Sequence, residues 1–123
     1  MVVVETRGAE GVFALVSRQL ALNGYVVAES NMDAGSILTE GFVMENSEVR
    51  LSVNVSDSLV VVIPDVRLSA QGAVAMNALV GSYNNQWVRA NWGEEDAQFS
   101  KAVEFALSLG LGAVSYREPG ATP

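Results

Sequence analysis

The chain has 123 residues, of which 50% are hydrophobic and 17% charged, so its length and composition fit a single domain with an apolar core. Fourteen acidic residues outnumber seven basic ones, and the formal net charge is −7. The sequence contains neither Cys nor His. This excludes disulfides, thiolate nucleophiles, zinc sites built on these residues and catalytic triads with an imidazole base.

The basic residues are spread along the whole chain. They are Arg7, Arg18, Arg50, Arg67, Arg89, Lys101 and Arg117. Nucleic-acid binding requires cations clustered against the phosphates, and an anionic membrane surface repels an acidic domain. We therefore expect no nucleic-acid partner and no attachment to such a surface.

The sequence also lacks the long apolar segments that insert into membranes. A membrane-spanning helix needs roughly 20 consecutive apolar residues, and no stretch of the chain approaches this length. The N-terminus has neither the basic nor the apolar region of a signal peptide. We expect no direct membrane insertion, and an exported form would have had its signal removed.

The N-terminal region predicts a strand followed by an amphipathic helix. Residues 2–4 are consecutive valines, which favour a short strand. Residues 9–23 have a helical period, with Glu10 expected in the first turn and Gly24 ending the helix. The apolar face of this helix consists of Ala9, Val12, Phe13, Val16 and Leu20, widened by Leu15 and Leu22.

The next part of the chain predicts a meander of antiparallel strands. The predicted strands are residues 25–29, 36–45, 48–55 and 59–68, with turns at 31–35, 46–47 and 56–58. In the third strand apolar and polar residues alternate, which indicates one buried and one solvated face. Pro64 lacks a backbone N–H, so we expect it at an edge or a bulge of the fourth strand.

The C-terminal half is less regular at its start. Residues 69–86 fit either a helix capped by Ser69 or an extended, partly irregular crossing, and residues 86–92 fit a short strand or an approach to the last helix. Residues 94–109 predict that helix, which ends at Gly110. Its apolar face consists of Phe99, Ala102, Val103, Ala106 and Leu107.

Together these elements predict an α+β fold. The expected arrangement is an antiparallel sheet of three to five strands, with an N-terminal and a C-terminal helix packed on one face so that every apolar face is buried. Residues 1–116 are expected to form the single domain, and residues 117–123 a flexible tail.

Aromatic side chains flank an arginine shortly before the last helix. Tyr83, Trp87, Arg89 and Trp92 are the candidate partner-binding residues, because aromatic residues and Arg dominate binding hot spots. Trp87 and Arg89, with Asn91, would share one strand face. The alternative is that the two tryptophans pack the end of the core against the last helix.

Other charged residues have simpler interpretations. Asp65 and Arg67 would lie on one strand face as a surface ion pair. The cluster Glu94, Glu95 and Asp96 is either a divalent-cation site or, as we favour, the N-terminal turn of a helix, where carboxylates are stabilised. No catalytic, cofactor-binding or metal-binding residue is assigned, and no cofactor is expected.

Two short motifs carry a resemblance to a known family. Leu20-x-x-Asn23-Gly24-Tyr25 at the end of the first helix, followed by Gly35-x-Ile37-x-Thr39, resembles helix-grip domains of bacterial envelope lipoproteins. One example is the third lipoprotein of the outer-membrane barrel-assembly machinery. The lipid-bearing cysteine of such proteins is absent here. The resemblance implies an envelope-located, non-enzymatic interaction domain, placing the periplasm slightly ahead of the cytoplasm.

Three functions are compatible with the sequence. The leading hypothesis is a non-enzymatic binding or assembly module that contacts a protein partner or a second copy of itself. The second is a small acidic dimeric protein of the secretion-chaperone type, which an exposed apolar patch would favour. The third is an enzyme that uses carboxylates alone, which needs a pair roughly 5–10 Å apart in a cleft, and is the least favoured in so short a chain.

Overall fold

A computed structural model of the chain describes residues 1–6, 10–44, 47–81, 85–89 and 97–116. Within these residues there are three helices and eight strands. The helices are α1 (Val12–Leu22), α2 (Ala70–Val80) and α3 (Ala97–Ser108). The strands are β1 (Val2–Glu5), β2 (Val27–Asn31), β3 (Ser36–Thr39), β4 (Phe42–Met44), β5 (Ser47–Val55), β6 (Leu59–Leu68), β7 (Val88–Arg89) and β8 (Val114–Tyr116).

The strands form one antiparallel sheet in the order β2-β3-β5-β6-β1-β8. β4 pairs with β5 beyond the end of β3, and β7 pairs with β6 beyond the end of β1. The predicted α+β fold with an antiparallel sheet is confirmed. The predicted number of strands was too low, because the segment predicted as one strand contains both β3 and β4 and because β8 was not predicted.

The β5–β6 hairpin is the centre of the hydrophobic core. Its inward residues face each other across the two strands, as in the pairs Val53↔Val62 and Val49↔Val66. The same core contains Val16 and Leu20 of α1 and Phe105 of α3. The outward residues of β5 and β6 alternate with these and lie on the opposite face of the sheet.

A threonine side chain explains why β3 and β4 are separate strands. β3 pairs with β5 as far as Leu38↔Ser52, and pairing resumes only at Phe42↔Val49. Between these points the hydroxyl of Thr39 accepts a hydrogen bond of 2.9 Å from the backbone N–H of Leu51. This bond satisfies a buried donor that would otherwise lose its ladder partner, so the chain can leave the sheet here without a large penalty.

Two positions of the predicted helical faces were wrong. Leu22 is 71% exposed in the last turn of α1, and Leu107 is 62% exposed in α3. The buried face of α3 instead includes Phe105, which belongs to the core together with Ala102 and Ala106. Sequence spacing placed the centre of the stripe correctly but assigned one flanking residue to the wrong side.

The N-terminus of α1 also differs from the prediction. The helix begins at Val12, and Gly11 is its N-cap residue, with a left-handed φ of 67°. Glu10 therefore precedes the helix and does not occupy its first turn. At the other end, Gly24 has a φ of 89° and lies directly after the C-cap residue Asn23, as expected for a terminating glycine.

Pro64 lies in an interior strand of the sheet but, among the described residues, is paired on one side only, which agrees with its predicted placement at an edge and not at a bulge. It pairs with Leu51 of β5 in an unbroken register. On the other side of β6, β1 pairs only as far as Val62, and β7 begins at Asp65. Within the described residues, no strand pairs with Pro64 on that side, so its missing N–H breaks no ladder bond there.

The segment after β6 is helical, which decides between the two interpretations that the sequence left open. Ser69 caps α2, because its hydroxyl accepts a hydrogen bond from the N–H of Gly72. In α2, which the structure describes throughout, no residue is buried. None of the helices in the described residues is long and apolar enough to cross a bilayer.

Candidate protein-binding site

The outer face of the β5–β6 hairpin carries a cluster of charged residues. The register places Glu48 opposite Arg67 and Arg50 opposite Asp65. β7 extends this face, because Arg89 pairs with Asp65 on the far side of β6. The group that we call the Trp87 cluster consists of Glu48, Arg50, Asp65, Arg67, Trp87 and Arg89.

Ion pairs in the Trp87 cluster run across the strands. Arg67 Nε donates a hydrogen bond of 2.7 Å to Glu48 Oε2. Asp65 is shared by two arginines, with Arg50 Nε at 3.5 Å and Arg89 Nε at 3.8 Å from its two oxygens. The predicted pair between Asp65 and Arg67 is not formed, because directly opposed residues on neighbouring strands lie closer than residues two apart on one strand.

The indole of Trp87 lies between two guanidinium groups. Arg67 Cζ is 4.3 Å and Arg50 Cζ 4.6 Å from the ring centroid. Both distances are in the range of cation–π attraction, which contributes about 0.5–2 kcal/mol per pair. Trp87 is therefore held against the sheet while part of its surface remains exposed.

Gly41, in the connection between β3 and β4, makes room for this arrangement. A Cβ at this position would lie 2.7 Å from Glu48 Oε2 and 3.2 Å from the edge of the Trp87 ring. The first distance is shorter than real Cβ contacts. A side chain at position 41 would thus displace the Glu48 carboxylate, which is the partner of Arg67.

The charge of the Trp87 cluster is opposite in sign to that of the rest of the chain. Its three guanidinium groups and two carboxylates leave one positive charge. The remaining four basic and twelve acidic residues sum to −8. The unbalanced positive charge arises because Arg50 and Arg89 share the single carboxylate of Asp65. The side chain of Arg89 is 48% exposed.

The predicted partner-binding residues are only partly described. Trp87 and Arg89 do lie on one face of the sheet. Tyr83 and Trp92 lie outside the described residues, as do Asn91 and the acidic cluster 94–96. Sequence reasoning missed that Glu48 and Arg50 belong to the same surface, although hairpin register and strand alternation together would have indicated it.

A second exposed surface is formed by α2. Its eleven residues include no charged side chain. Val74, Leu79 and Val80 are 69%, 82% and 59% exposed. We call these three residues the α2 surface. These positions lie about 100–140° apart around the helix axis, so α2 exposes apolar side chains on several sides and not on one face.

Tyr25 has a raised pKa, but it belongs to the hydrophobic core and not to the Trp87 cluster. It is buried, contacts the rings of Phe42 and Phe105, and its hydroxyl has no hydrogen-bond partner among the described residues. Burial, together with the nearby Glu104 carboxylate, raises the pKa of Tyr25 to about 12. The phenol therefore stays protonated near neutral pH and acts as a packing group.

An open groove lies on the outer face at the other end of β5. Its volume is about 510 Å³, and its polar walls include Glu29, Asn31, Ser52 and Asn54. These side chains can form hydrogen bonds. No group of three carboxylates that could hold a metal ion occurs in the described residues, here or elsewhere.

Comparisons with protein-family models, with curated proteins and with solved structures gave no match. The resemblance to envelope lipoprotein domains therefore stays a prediction. Inferences about function depend on the geometry of the Trp87 cluster and of the α2 surface.

Proposed function

We propose that this domain is a non-enzymatic binding or assembly module that contacts a protein partner through the Trp87 cluster. The observation that carries this proposal is the partly exposed Trp87 between Arg50 and Arg67. Trp and Arg are the residue types most enriched at the energetic centres of protein interfaces.

The internal contacts of the cluster support this function. Side chains that must be ordered on binding reduce affinity by about 0.5–1.5 kcal/mol each. In the Trp87 cluster the guanidinium groups are already positioned by Glu48, Asp65 and the indole ring. A partner would meet an ordered surface and would avoid much of this cost.

The layering of the domain also favours the outer face as the contact surface. The buried residues of α1 and α3 belong to the core on the inner face of the β5–β6 hairpin. The outer face carries the Trp87 cluster at one end of β5 and the polar groove at the other. On the basis of the lipoprotein resemblance, the proposal includes a location in the bacterial envelope.

Substitution of Arg89 tests this function. Arg89→Ala removes an exposed side chain whose ion pair spans 3.8 Å, so the free energy of unfolding should change by no more than about 0.5 kcal/mol. We expect proteins that the wild type captures from a native bacterial extract, identified by mass spectrometry, to be recovered less by the variant.

Arg18→Ala is the matched control for this experiment. Arg18 is exposed on α1 and is not part of the cluster, but its loss changes the net charge by the same amount. Capture that falls for Arg89→Ala and not for Arg18→Ala supports the proposal. Equal recovery with the wild type and Arg89→Ala contradicts it.

A second candidate function is a small acidic dimeric protein of the secretion-chaperone type. The α2 surface favours it, because exposed apolar residues on an uncharged helix allow contact between two copies of a chain with net charge −7. Light scattering after size exclusion tests it. We expect a dimer that Leu79→Lys converts to a monomer, while Leu22→Lys, at the exposed end of α1, leaves it intact. A monomeric wild type contradicts this candidate.

A further inference from the structure

The arginines of the Trp87 cluster use few of their hydrogen-bond donors. In all three ion pairs the nitrogen nearest the carboxylate is Nε. In the described part of the chain, the single hydrogen bond donated by Arg50, Arg67 or Arg89 is the one from Arg67 Nε to Glu48. The four N–H groups on the two terminal nitrogens of each guanidinium therefore have no hydrogen-bond acceptor among the described residues.

The charge balance indicates which ligand these donors would select. Asp65 is shared by Arg50 and Arg89, so one guanidinium charge is not compensated within the cluster. This local surplus attracts an anion over about 8–10 Å at physiological salt. An extended polyanion such as a nucleic acid would also approach the rest of the domain, whose charge of −8 repels it. A short anionic segment fits both conditions.

The indole strengthens such a contact. Trp87 covers one face of each of two guanidinium groups at 4.3 and 4.6 Å and so excludes water from that side. Electrostatic attraction increases as the local dielectric constant falls. The planar edge of a guanidinium matches the two oxygens of a carboxylate, which gives paired hydrogen bonds.

We propose that the Trp87 cluster binds a carboxylate-bearing segment of a partner protein, with Glu or Asp side chains accepting hydrogen bonds from the terminal nitrogens of Arg50, Arg67 and Arg89. This inference rests on the proposed function and specifies the class of partner. It assigns the positively charged cluster an anionic ligand, which has the same sign as the overall charge of the domain.

Isothermal titration calorimetry of the full chain tests the assignment, with acetylated and amidated tetraglutamate as the probe. We expect binding that weakens as salt is raised, and no binding of tetraglutamine. Arg89→Ala should weaken binding about tenfold, the loss typical of a charge-assisted hydrogen bond. Arg18→Ala should leave it unchanged.

Two variants should improve binding, which a purely structural cluster would not do. Asp65→Asn and Glu48→Gln each remove a carboxylate that competes for the guanidinium groups, so each should bind tetraglutamate severalfold more tightly. Thermal unfolding identifies any variant that fails to fold, and the other then provides the test.

The outcomes distinguish this inference from the proposed function. The carboxylate assignment is overturned if folded Asp65→Asn and Glu48→Gln gain no affinity, or if inorganic phosphate binds as tightly as tetraglutamate. Capture from extract that still depends on Arg89 would then leave the protein-binding function standing. Conversely, tetraglutamate binding with capture unaffected by Arg89→Ala would contradict the proposed function and keep the carboxylate site.

Discussion

The β5–β6 hairpin and the segment from α2 to β7 follow each other in the chain but are held in place by different forces. Inward residues of the hairpin such as Leu51, Val53 and Val62 are at most 1% exposed. No residue of α2, which is described throughout, is buried. The hairpin is stabilised by removal of apolar surface from water, whereas α2 and β7 depend on a cap, ion pairs and the Trp87 ring.

This difference predicts where substitutions matter. Burial of large side chains contributes about 1.5–3 kcal/mol each, while caps, ion pairs and cation–π contacts contribute about 1 kcal/mol. Changes in the hairpin should therefore affect the whole domain. Changes in the α2–β7 segment should affect local structure and binding.

The largest effect is expected for Val53→Asp. Val53 is buried in β5 between Ile37 of β3 and Val62 of β6. An unpaired carboxylate at this position costs several kcal/mol, comparable with the roughly 5–15 kcal/mol that stabilises a domain. Circular dichroism should show an unfolded chain. The neighbouring Ser52→Asp, on the outer face, should remain folded, and a Val53→Asp variant that melts like the wild type would contradict the register.

Trp87→Ala should have an intermediate effect. It removes two cation–π contacts of a partly exposed ring, so we expect a loss of about 1–3 kcal/mol. Truncation to Ala of a tryptophan buried in the core would cost about 3–5 kcal/mol. Chemical denaturation measures the difference, and Trp87→Phe should recover part of the loss. A loss of more than about 4 kcal/mol would assign Trp87 to the core.

A pH-dependent effect is expected for Tyr25 on the inner face. Its pKa is raised from 10 to about 12 by burial and by Glu104. Because the folded state holds the proton more tightly than the unfolded chain, stability is unaffected below pH 10 and decreases as pH rises from 10 to 12. The free energy of unfolding should fall less with rising pH in Tyr25→Phe than in the wild type. Chemical denaturation at pH 8, 10 and 11 measures this fall. An equal fall in the two proteins would contradict the burial of the phenol.

The smallest effect on stability is expected for Leu79→Ser in α2. The side chain is 82% exposed, so the free energy of unfolding should change by no more than about 0.5 kcal/mol at a concentration where the protein is monomeric. Thermal unfolding at low protein concentration measures this. A loss above 1.5 kcal/mol would show that α2 is packed within a single chain.

The same contrast explains how much of the molecule could be predicted from its sequence. Alternation in β5 and the helical period of α1 and α3 predicted the inward residues of the core, because burial imposes a period on the sequence. The split at Thr39 and the exposure of Leu22 could not be predicted. They depend on which strand lies alongside and where it ends, which a local pattern does not contain.

The candidate site was predicted in part for the same reason. Trp87 and Arg89 were recognised from their residue types and spacing. Arg50 and Arg67, which contact Trp87, lie 37 and 20 positions before it, and Asp65 lies 24 positions before its partner Arg89. The register of the sheet brings them together. Tyr83 and Trp92 remain predictions.

The position of Pro64 has a consequence for how the sheet opens. β1 and β7 lie end to end along the same side of β6, and Pro64 is in the gap between them. Opening of β7 breaks two residue pairs and leaves the four pairs of β1 intact, so a fluctuation that frees Trp87 and Arg89 need not spread into the core. Pro64 thus divides one strand into a part whose pairing belongs to the core and a part whose pairing can be lost without unfolding the domain.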